Sequence, residues 1–74
     1  GSEAAQIRLG SDRLELTGVA ERMEDYETTL GSSFLVVEPG NGRRVTIFRD
    51  GRVLQTGSSD LSELRSFVDK YIGT

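Results

Sequence analysis

A chain of 74 residues with no His, Cys or Trp has room for one domain and one modest core, and it lacks the disulfide and zinc frameworks on which many small domains rely. The commonest general base near neutral pH and the most easily activated nucleophile are also missing, which leaves carboxylates, Tyr26, Tyr71, Lys70 and the arginines for any chemistry. A net charge of −3 repels nucleic acid and anionic lipid, and no apolar run reaches the roughly 20 residues of a membrane span.

Gly1-Ser2 reads as the remnant left when a protease removes an affinity tag, so residues 3–74 are taken as a single domain. Ala4 to Leu9 is extended, and Gly10-Ser11-Asp12 supplies turn residues. Thr17 offers a helix N-cap, and Val19 and Met23 give Gly18 to Asp25 a short apolar stripe opposite Glu21, Arg22, Glu24 and Asp25.

Tyr26 to Leu30 alternates and is rich in β-formers, Gly31-Ser32-Ser33 breaks it, and Phe34 to Val37 is a strand. Pro39 to Gly42 is a turn by composition. Val45 to Phe48 and Arg52 to Thr56 are strands around Asp50-Gly51, a type I′ hairpin signal. In the last segment Leu61, Leu64, Phe67, Val68, Tyr71 and Ile72 share one helical face. Asp60 caps that helix, Glu63 stands in capping-box position, and Gly73 is placed to end it.

These elements predict an α+β domain, a four-stranded, mostly antiparallel sheet with two helices on one face in the order β-α-β-β-β-α. A two-residue turn at Asp50-Gly51 sets Arg49 opposite Arg52, Phe48 opposite Val53 and Ile47 opposite Leu54. Ile47, Leu54, Val45, Phe34 and Val36 then face the helices, and Arg49 and Arg52 share that side at its turn end. Leu35, Val37, Phe48 and Val53 gather on the other side beside Thr46 and Gln55, with Arg49 and Arg52 as a rim. That apolar outer face is the expected protein-interaction site, docking onto a parent protein, a partner or a second copy.

Other charged groups are weaker candidates. Arg49 and Arg52, as like charges side by side, would invite an anion or splay into water. Arg43 is placed to pair with Glu38 across the turn. Glu21, Glu24, Asp25 and Glu27 read as a solvated face rather than a metal cluster. Pro39-Gly40-Asn41-Gly42 lacks the Lys and following helix of a phosphate loop. No catalytic, cofactor or metal site is expected within the chain.

The segment Val45–Gly73, VTIFRDGRVLQTGSSDLSELRSFVDKYIG, resembles the C-terminal end of the ThiF/MoeB/HesA adenylyltransferases, which activate ubiquitin-like sulfur-carrier proteins. The shared pattern is a strand ending in Phe48, then Asp50-Gly51-Arg52, a short strand, Gly57, and a helix capped by Asp60 that ends in Tyr71-Ile72-Gly73. Ala5-Gln6-Ile7-Arg8 is similar to the stretch that opens the family's small domain, and Leu61 stands where the family often has Pro. In that family the nucleotide fold, the acceptor Asp and the Cys-x-x-Cys zinc ligands lie upstream. The resemblance therefore implies a non-catalytic accessory domain of a cytoplasmic, ATP-dependent enzyme, contacting the rest of that enzyme or its carrier protein. A free-standing interaction domain that homodimerises through the outer face is the alternative; neither nucleic acid nor membrane is an expected partner.

Overall fold

In the computed structural model, residues 3–10 and 14–72 are described. Strand β1 (Ala4–Arg8) is followed by helix α1 (Leu16–Arg22), strands β2 (Glu27–Leu30), β3 (Phe34–Gly40), β4 (Arg43–Phe48) and β5 (Arg52–Thr56), and helix α2 (Leu61–Tyr71). The strands form one antiparallel sheet in the order β1-β5-β4-β3-β2. The sheet therefore has five strands rather than the expected four, because both short segments flanking α1 join it, one at each edge. No helix among the described residues is long and apolar enough to cross a membrane.

Burial, more than capping, places α1. Its N-cap is Glu15, whose side chain makes no capping bond, and Thr17 lies inside the first turn. The helix starts earlier than cap chemistry predicts because Leu16 joins Val19 and Met23 in one buried stripe. Helix α2 follows its sequence signals more closely: Asp60 Oδ1 accepts the Glu63 N–H at 3.1 Å, and Leu64, Phe67, Val68 and Ile72 are buried. Only half of the expected capping box forms, since the Asp60 N–H donates to Ser58 Oγ. Leu61 is exposed, and Gly73 lies outside the described residues, as do Gly1-Ser2 and Ser11-Asp12.

The two helices lie side by side on one face of the sheet. Arg22 of α1 joins them by donating through Nη1 to the carbonyls of Tyr71 and Ile72 at 2.9 and 3.1 Å, a cation on the acceptor end of α2. Tyr26 and Tyr71 share a hydroxyl hydrogen bond of 2.8 Å, with Phe67 packed against both rings. The sheet gives the core Ala5, Ile7, Leu35, Val37, Val45, Ile47 and Val53, each burial worth about 1.5–3 kcal/mol for the larger side chains.

Two one-residue irregularities decide which residues enter that core. In the β3–β4 hairpin, Asn41-Gly42 forms the tight turn with φ of 58° and 75°, and the register shifts between Val37 and Gly40, the stretch that contains Pro39. A strand proline, which has no N–H to donate, belongs at such a bulge. The β4–β5 loop has three residues rather than two: Gly51, at φ 98°, donates its N–H to the Phe48 carbonyl at 3.1 Å, and Ile47 pairs with Val53. The turn's carbonyls are used as well, Gly51 O by the Leu9 N–H and Arg49 O by the Leu14 N–H. These shifts leave β4 facing as expected and invert β3 and β5, since a one-residue slip exchanges a strand's faces.

Candidate functional site

Among the described residues no helix covers the other face of the sheet, and its side chains lie in rows that run across the strands. One row consists of Gly31, Phe34, Phe48, Arg52 and Arg8, through the register pairs Phe34–Phe48 and Arg8–Arg52. The next consists of Thr29, Val36, Thr46, Leu54 and Gln6. Phe34, Val36, Phe48 and Leu54 are all half-buried, an apolar area in the middle of the open face. An antiparallel sheet solvated on one side ordinarily turns polar residues outward, so this area is a candidate interface.

The ends of the face differ in charge. Glu27 and Glu38 are paired at the β2–β3 corner, where Arg44 Nη2 approaches Glu38 Oε1 at 3.6 Å. Arg8 and Arg52 stand opposite each other on β1 and β5. The Arg52 guanidinium lies over the Phe48 ring, 4.3 Å from its centroid, and its Nε donates to Asp50 Oδ2 at 3.0 Å. Asp50 also accepts the Arg52 backbone N–H at 3.2 Å. That backbone bond is the main cause that holds the Asp50 carboxyl below the usual carboxylate range; burial opposes it, and the Arg52 guanidinium and the more distant charge of Arg8 add to the lowering.

Of the expected interaction residues, Phe48 and Arg52 lie on the open face, whereas Leu35, Val37 and Val53 are fully buried under the helices at 0% exposure. Their places outside are taken by Phe34, Val36 and Leu54, for which strand alternation predicts the helix side. Arg49 is exposed in the β4–β5 loop, where it donates to the Ser32 carbonyl instead of facing Arg52. The Phe34 ring lies across Gly31, where an added Cβ would come within 2.5 Å of it.

Gln55, placed outside by the sequence reading, is fully buried on the helix side. Its Oε1 accepts from Arg43 Nε at 3.1 Å and its Nε2 donates to the Ser58 carbonyl at 3.1 Å. Arg43 thus turns inward, with Nε 3.3 Å from Glu63 Oε1, close enough for ion pairing but out of line for a hydrogen bond, and it is Arg44 that meets Glu38. Glu21, Glu24, Asp25 and Glu27 are exposed, and among the described residues no three acidic side chains converge as metal ligands would.

No protein-family model, curated protein or solved structure matches this chain.

Proposed function

We propose that this chain is a non-catalytic docking domain that binds a partner protein through the open face of its sheet, around Phe34, Val36, Phe48 and Leu54. The observation that supports this reading is the apolar area itself, set on the side of the sheet that neither helix covers. The resemblance of Val45–Gly73 to ThiF/MoeB/HesA enzymes supplies the context we propose for it: an accessory domain of an ATP-dependent enzyme that activates ubiquitin-like proteins, with the carrier protein or the body of the enzyme as partner and adenylylation carried out elsewhere in the parent.

Titrating a ubiquitin-like sulfur-carrier protein into the isotopically labelled chain tests this. Amide shifts centred on Phe34, Val36, Phe48 and Leu54, with α1 and α2 silent, are expected. A silent open face at high micromolar carrier rules out carrier contact, and a parent gene without a nucleotide fold upstream removes the enzyme context.

Self-association through the same face is the second reading. An isologous contact whose two-fold axis runs along the row from Phe34 to Arg8 would bring Arg8 and Arg52 against their copies, and like charges disfavour that arrangement. Sedimentation decides: a concentration-dependent dimer abolished by Phe48→Asp would favour the second reading over the first.

A further inference from the structure

The like-charged pair at the basic end of the open face specifies the partner more closely. Arg8 and Arg52 are register neighbours on adjacent strands, both side chains outward, because their chain neighbours Ile7 and Val53 point into the core. Like charges directly opposite on a sheet repel, and an anion between them relieves the repulsion. Asp50 meets part of this demand, but it approaches Arg52 from the turn and pairs with that residue's Nε. Beside the two guanidiniums lies an apolar floor, Phe48 under Arg52 and Phe34 next to it.

We propose that this end of the face takes an acidic protein segment, with a carboxylate lodged between Arg8 and Arg52 and a neighbouring apolar side chain lying on Phe48 and Phe34. The proposal rests on the docking reading above and adds the chemistry of the partner. A carboxylate accepts from two guanidiniums, whereas a basic or neutral segment would leave the Arg8–Arg52 repulsion in place. A nucleic acid strand fits less well. It needs a track of cations, while here Arg44 is engaged by Glu38, the far corner presents Glu27 and Glu38, and the chain as a whole carries −3.

The test uses fluorescent twelve-residue peptides alternating Leu with Glu, Gln or Lys, together with a single-stranded oligothymidylate, each titrated into the full chain and mapped by amide shifts. The Leu/Glu peptide is expected to move Arg8, Phe34, Phe48 and Arg52, to weaken as salt rises, and to bind about fivefold tighter than the Leu/Gln peptide. Arg8→Gln should weaken the Leu/Glu peptide by about two- to fivefold and leave the Leu/Gln peptide unchanged. Asp50→Asn, which frees Arg52, should tighten it. Dispersed core amides confirm that each variant is folded.

Equal affinity for the Leu/Glu and Leu/Gln peptides at Phe34 and Phe48 overturns the charge assignment and leaves the docking face standing. Tighter binding of the Leu/Lys peptide or of the oligothymidylate overturns it in favour of that class. Binding of no peptide, or binding with shifts elsewhere, overturns both the assignment and the docking face.

Discussion

Arg43 and Gln55 form a cross-strand hydrogen bond beneath α2, the arginine Nε donating to the glutamine Oε1 at 3.1 Å with the amide fully buried. Replacing Gln55 by Leu keeps the volume and adds apolar surface, yet leaves a mostly buried guanidinium without that acceptor. Gln55→Leu is therefore expected to destabilise the chain by about 1–3 kcal/mol, and adding Arg43→Leu should restore part of the loss. Urea denaturation of the two variants checks this, and a Gln55→Leu chain at least as stable as the original would show that the bond adds nothing.

Gly57 ends β5 with φ 89°, and a Cβ there would lie 2.2 Å from the Gly42 carbonyl oxygen. Gly40, at φ 109°, has open space around its Cβ position. Alanine at either position meets the unfavourable φ, about 1–2 kcal/mol, but only Gly57→Ala must also push the β3–β4 turn away from β5. Thermal unfolding of both variants should show Gly57→Ala clearly the worse. Equal losses would mean that the two turns do not approach each other as described.

Register separates what the sequence shows of this fold from what it hides. Periodicity located both helices and the strands, because each is marked by its own apolar spacing or by Gly and Asn at a turn. Which side of β3 and β5 faces the core depends on two single residues, the bulge between Val37 and Gly40 and the third loop residue Arg49, and neither changes the local pattern. Leu35, Val36, Val37, Val53 and Leu54 are apolar on both faces, so alternation had no polar residue with which to choose between them. The candidate site inherited that ambiguity. Phe48 was legible as an outward residue, whereas Arg52, Phe34, Val36 and Leu54 emerged on the open face only once the register was known.

Tyr26 should make stability depend on alkaline pH. The hydrogen bond to Tyr71, then partial burial, raises the Tyr26 hydroxyl above its ordinary value of 10.0, so the folded chain holds this proton more tightly than the unfolded one. That contribution is whole below the ordinary tyrosine value and is lost as pH rises through the raised one. Urea midpoints for the original chain should therefore fall across this alkaline range more steeply than for Tyr26→Phe, which lacks the titrating group. Tyr26→Phe itself should cost about 0.5–1.5 kcal/mol near neutral pH. Parallel alkaline slopes for the two chains would contradict the shared proton.

The last prediction tests which face is open. Val53 is 0% exposed beneath the helices, and its neighbour Leu54 is half-buried on the uncovered side. An unpaired carboxylate at residue 53 has no solvent and no cation to meet it, so Val53→Asp should abolish cooperative folding or cost more than about 4 kcal/mol. Leu54→Asp reaches water beside Thr46 and Gln6, and should lose no more than about 1–2 kcal/mol of apolar packing. A two-residue Asp50-Gly51 turn would reverse the order, since it places Leu54 inside and Val53 outside. Circular dichroism melts of the two variants therefore distinguish the two registers. A folded Val53→Asp chain beside an unfolded Leu54→Asp chain would put Val53 in place of Leu54 on the proposed docking surface.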